Sequence, residues 1–118
     1  MREVLEDTQR KIKFLFRCDV GTKNEIGTGH LIRSVALAKK LNQDNNLKNE
    51  NTIFLTNYEK KFSFVKNILK KNNFKLQYIS LKKAPPNSNE EFEIIKKINP
   101  QIIIFDRIKT NKSFISKF

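Results

Sequence analysis

Cysteine is almost absent from this sequence, with Cys18 standing alone. An intramolecular disulfide is thereby excluded, and a reducing cytoplasm is the expected setting. Histidine is equally scarce, and His30 beside Cys18 does not make the ligand set of a zinc site. Tryptophan is missing, and no basic stripe is interleaved with aromatics, so a stacking platform for single-stranded nucleic acid is not indicated. No apolar run approaches the ~20 residues of a membrane span, and residues 1–10 lack the apolar core of a signal peptide. There is no internal repeat and no low-complexity tract.

Acid is the other shortage. Twelve Asp+Glu face 24 Lys+Arg, which leaves a net charge of +12. Such a charge suits a polyanionic partner, nucleic acid included. The lysines, however, fall in scattered pairs (Lys39-Lys40, Lys60-Lys61, Lys70-Lys71, Lys82-Lys83, Lys96-Lys97), mostly on expected helix exteriors. They read as solvated faces, and nucleic acid is not the expected partner. The 118 residues allow one domain, and a 38% hydrophobic content with 10 Phe suits a globular core.

Hydrophobic periodicity gives the element order. Residues 1–10 form a polar extension, and residues 11–118 form the domain. Residues 12–16 (Ile-Lys-Phe-Leu-Phe) predict a strand, followed by a glycine-bearing loop over 18–28. Residues 29–42 predict a helix with Leu31, Val35, Ala38 and Leu41 on its stripe, widened by Ile32, Ala36 and Leu37. Residues 52–56 predict a second strand, 58–71 a second helix, and 74–79 a half-exposed or edge strand. Ser88 or Asn89 caps a third helix that Pro100 stops. The run Gln101-Ile102-Ile103-Ile104-Phe105 reads as a central parallel strand buried on both faces, and a short last helix follows near 112–117.

Strictly alternating strands and helices imply an α/β fold, a three-layer Rossmann-like parallel sheet of about four strands with the order 3-2-1-4. In such sheets ligands sit beyond the carboxyl ends of the strands, where the order reverses. Two polar clusters fall there: Arg17-Cys18-Asp19 with the glycine loop, and Asp106-Arg107.

Gly27 and Gly29 flank Thr28 just before a helix, where free N–H groups and the glycine backbone suit a phosphate. A plain tight turn has the same signature, and the third glycine of the dinucleotide fingerprint is missing. No Walker A loop and no G-x-S-x-G elbow occurs. His30 closes the loop at a place where a base can reach a bound substrate. Arg33 lies three residues on, on the same helix side, placed for a phosphate or carboxylate. Asp19 could orient His30, cap a turn or bind a sugar hydroxyl, and the spacing leaves all three open. Asp106 could contact a ligand or cap the final turn. Cys18 reads as a buried structural thiol.

Phe14-Leu15-Phe16-Arg17-Cys18-Asp19, then Ile26-Gly27-Thr28-Gly29-His30, then Arg33 and Leu37-Ala38-Lys39, resembles the start of the UDP-sugar hydrolases of pseudaminic acid biosynthesis. Those enzymes act on a UDP-linked diacetamido-trideoxy-altropyranose, and the related spore-coat polysaccharide proteins look similar. The apolar strand ending in Asp106 is a second match.

The resemblance implies the amino-terminal lobe of a GT-B fold, incomplete here, with a second lobe supplying most of the nucleotide site. It implies that His30 activates water at the anomeric carbon, with inversion and release of UDP. Arg17, Asp19, Gly27, Thr28, Gly29, Arg33 and Asp106 are the expected substrate contacts. Neither a metal nor an organic cofactor is implied. Where the family has Asp-His-Tyr-Gly, this chain has Asp106-Arg107-Ile108-Lys109, the mark of a divergent subgroup. A transferase lobe acting on an acceptor sugar, and a non-catalytic basic binding domain, are the competing expectations. A sheet ending on its fourth strand would leave a hydrophobic edge for a second lobe or for self-association.

Overall fold

A computed structural model describes residues 12–21, 29–107 and 110–118. The expected extension over 1–10, together with Gly27 and Thr28, lies outside the described residues. The elements run β1 (Phe14–Cys18), α1 (Gly29–Asp44), β2 (Thr52–Thr56), α2 (Val65–Lys71), β3 (Lys75–Tyr78), α3 (Asn89–Ile98), β4 (Ile102–Asp106) and α4 (Lys112–Ile115). Short 3₁₀ turns at Asn49–Asn51 and Lys60–Phe62 precede β2 and α2. All strand pairs are parallel and the order is β3-β2-β1-β4, as the alternation predicts. The chain is a Rossmann-like three-layer α/β fold.

Period-two alternation divides the core between the two faces of the sheet. Phe14, Phe16 and Cys18 face α1 and α2, where they meet Leu31, Val35, Ala38, Val65 and Leu69. Leu15 faces the other way, with Ile53, Leu55, Ile95 of α3 and Phe114 of α4. Phe16 stacks on Phe54 at 5.1 Å between centroids, and Phe54 meets Phe74 at the same distance. Truncating Phe54, which is fully buried, would cost about 3–5 kcal/mol.

In α1 the buried positions are Leu31, Ser34, Val35, Ala38 and Asn42, one helical stripe. Ile32 and Leu37, expected to widen that stripe, are instead 45% exposed. The α3 ends behave as read: Ser88 Oγ accepts from the Glu91 N–H at 3.2 Å, and Asn99 takes the left-handed conformation (φ 56°) before Pro100.

Two expectations need correction. The helix predicted over 58–71 is α-helical only from Val65, with a 3₁₀ turn before it at Lys60–Phe62. The residue just before the predicted helix is pinned elsewhere: Asn57 Oδ1 accepts from the Val20 N–H at 2.8 Å, and Asn57 Nδ2 donates to the Val20 carbonyl at 2.9 Å. This pair of hydrogen bonds ties the chain leaving β2 to the segment leaving β1, and Glu59 is extended (φ −131°, ψ 125°). The second correction is β4, which lies at an edge of the described sheet rather than inside it, with Ile102 half exposed. Its apolar run reflects two covered faces, since Ile103 packs toward α3 and α4 and Ile104 toward α1. Hydrophobic pattern reports faces and not strand neighbours.

Candidate active site

The order reverses at β1, because β2 lies on one side of it and β4 on the other. A crevice is expected at that point, beyond the strand tips. Cys18 and Asp106 are register partners at those tips. The first turn of α1 stands over them.

Asp106 gathers the site. His30 Nδ1 lies 2.8 Å from Asp106 Oδ1, and Ser34 Oγ donates to Asp106 Oδ2 at 2.8 Å. His30 and Ser34 are one helical turn apart, so both overhang the same carboxylate. Arg33 Nη2 lies 2.9 Å from the same His30 Nδ1. Nδ1 cannot donate to Asp106 and accept from Arg33 at once. A carboxylate only accepts, so the contact with Asp106 assigns the proton to Nδ1, and the Arg33 approach is then a proximity of charge. In the neutral ring Nε2 then carries the lone pair, and it has no partner among the described residues. The His30 and Asp106 side chains are 25% and 29% exposed, within reach of a ligand from the crevice.

The sequence therefore brings His30, Arg33 and Asp106 together, and Asp106 rather than Asp19 orients the imidazole. Ser34 was missed: a serine one turn after the histidine is the signal that could have found it. A Cβ at Gly29 would meet Arg33 Nη1 at an ordinary 3.6 Å, so contact alone does not demand glycine there.

Arg17 and Asp19, expected at the ligand, are instead buried and bonded to one another. Arg17 Nη1 donates to Asp19 Oδ1 at 2.6 Å and to the Cys18 carbonyl at 3.0 Å, and Nε donates to Glu91 Oε2 at 2.6 Å. Arg17 follows Leu15 onto the α3/α4 face, away from His30. Arg107 clamps the same Glu91, donating from Nη1 to Oε2 and from Nη2 to Oε1 at 2.8 Å. Thus Arg107 holds the β4 tip against α3. Desolvation is the largest influence on Glu91 and pushes its carboxyl up. The hydrogen bonds from Arg107 and the charges of Arg17 and Arg107, with the Asn87 N–H, outweigh it and hold the carboxyl below its ordinary range. Desolvation likewise works against the Arg17 cation, yet Asp19 and Glu91 raise its pKa overall. Cys18 is buried, as expected of a structural thiol.

Among the described residues no cluster of His, Cys, Asp and Glu is suited to a metal ion, and no helix is long and apolar enough to cross a membrane. The five lysine pairs are exposed throughout, as solvated faces would be. No family model, no curated protein and no solved structure matches the chain.

Proposed function

We propose that this chain is a nucleotide-sugar hydrolase lobe in which His30 is the general base. The observation that carries the proposal is the Ser34–Asp106–His30 relay at the topological switch point. A carboxylate that holds Nδ1–H leaves Nε2 of the neutral ring as the basic nitrogen, an arrangement used where a histidine activates a hydroxyl or water.

In this reading a water gives its proton to His30 Nε2 as its oxygen attacks the anomeric carbon. The bond from that carbon to the diphosphate oxygen breaks, UDP leaves with the electron pair, and configuration inverts. Arg33, beside the imidazole, offers a cation to the diphosphate, and the glycine loop with Gly27, Thr28 and Gly29 lies next to it in sequence. The reaction needs no metal or organic cofactor. The motif resemblance supplies the substrate class: a UDP-linked amino sugar of nonulosonic acid or surface-polysaccharide synthesis, in the cytoplasm. A second lobe facing the strand tips contributes the nucleotide contacts, and the open edge of β4 is the place for a further chain.

The test is UDP release from UDP-linked acetamido sugars with the second lobe present. His30→Ala is expected to lower kcat by roughly 10²–10⁴. Unchanged turnover in that variant would remove His30 from the chemistry. A new glycoside in place of free sugar would turn the assignment to a transferase.

A further inference from the structure

A second feature opens at the same end of the sheet, where β2 and β3 finish. Asn57, Tyr58, Glu59, Tyr78 and Ser80 line an open cavity of about 460 Å³ there. Tyr58 and Tyr78 are 54% and 41% exposed, and their rings meet edge to face, 5.3 Å between centroids and 85° between planes. Exposed aromatics in a concave, mixed-polarity site are the ordinary anchors of a small ligand.

The chemistry of the lining selects the ligand. Among the described residues no Lys or Arg lines this cavity, and the one charged lining residue is the carboxylate of Glu59. The described lining offers a phosphate no cation to pair with. Rings at 85° form a corner, not a parallel slot, so a flat nucleobase finds no sandwich. The corner fits a puckered ring with one apolar C–H face for the tyrosine and hydroxyl donors for Glu59 and Ser80. We infer that the Tyr58–Tyr78 corner binds a pyranose ring.

Its position relates it to His30. Strand register aligns Asp106 with Cys18 and Thr56 with Tyr78, one row across the carboxyl ends of the sheet. Tyr78 follows Leu76, and Asp106 follows Ile104, both of which pack on the α1/α2 face, so the two side chains share that face. Three strand spacings of ~4.8 Å separate them, roughly 14 Å. That is too far for the ring under attack at His30, so the corner takes a second sugar ring. The frame is shared, because Asn57 binds Val20 in the segment leaving β1. In the same frame Gly21 sits so close to residues 59–62 that a Cβ would come within 3.2 Å of Glu59 Cγ.

This deepens the nucleotide-sugar reading and rests on it for the substrate class, but the binding is measurable without turnover. The probes are the methyl β-glycoside of N-acetylglucosamine and UDP, each alone, followed by saturation-transfer NMR. The glycoside is expected to bind the wild-type chain and His30→Ala equally, with transfer to its ring protons. Tyr78→Ala and Tyr58→Ala should weaken it roughly tenfold, about 1.4 kcal/mol, while Tyr78→Phe retains it. Absence of glycoside binding, or binding unchanged in Tyr78→Ala, overturns the proposal. So does UDP binding that disappears in Tyr78→Ala, which would make the corner a nucleobase site. Failure of the His30 chemistry alone leaves the glycoside result intact.

Discussion

Two residues, Glu91 and Gly21, were illegible in the sequence because their partners are distant along the chain. Glu91 reads as an ordinary first-turn acid after a capping serine, yet it anchors Arg17 and Arg107 from two strands. Removing one member of a buried ionic cluster leaves uncompensated charge, so Glu91→Ala should cost about 3–5 kcal/mol in chemical denaturation. The pH dependence follows the sign of its shift. Its native pKa lies below the ordinary 4.5, so its contribution is complete above that value and is lost as pH falls through the native one. Thermal melts from neutral to acid pH should show Glu91→Gln with a flatter acid limb than wild type; parallel limbs would contradict the assignment. Gly21 adopts φ +64°, and a Cβ would fall 2.7 Å from the Phe62 ring. Gly21→Ala should therefore destabilise by about 1–2 kcal/mol or more, and an unchanged unfolding midpoint would show that the loop relaxes freely.

At the scale of elements, the strands were the most legible: β1, β2 and β4 are short runs rich in apolar residues, and β3 alternates with period two. The helices were legible where one periodic stripe meets the sheet, as in α1 and α3. Residues 58–64 deceived because Tyr58 and Phe62 have helical spacing while Asn57 ties the chain to Val20. The two sheet edges also differ in kind. Lys75 and Gln77 lie exposed on β3, a protected edge, whereas β4 offers Ile102 and an apolar run. Self-association through β4 is the expected consequence. Light scattering of concentrated protein should show it, and Ile102→Lys should shift the population toward monomer. A wild-type chain that stays monomeric at high concentration would argue against an adhesive edge.

For the molecule as a whole, the strand order was readable from the alternation of strands and helices, and the loop-histidine motif singled out His30 as a candidate. The orientation of His30 was not, because Asp106 is 76 residues away and meets it only when β4 pairs with β1. The charge of +12 is spread over exposed lysine pairs, so any nucleic-acid binding should be weak and should vanish as salt rises. A labelled duplex retained at physiological salt would restore the basic-domain alternative.

The chain holds a single histidine, which makes one experiment unusually direct. Nitrogen-15 NMR of the histidine-labelled protein, at a pH where the ring is neutral, reports which ring nitrogen carries the proton without ambiguity of assignment. The Nδ1–H tautomer with a bare Nε2 is expected, lost or mixed in Asp106→Ala. An Nε2–H tautomer in the wild-type protein, or a tautomer indifferent to Asp106, would contradict it.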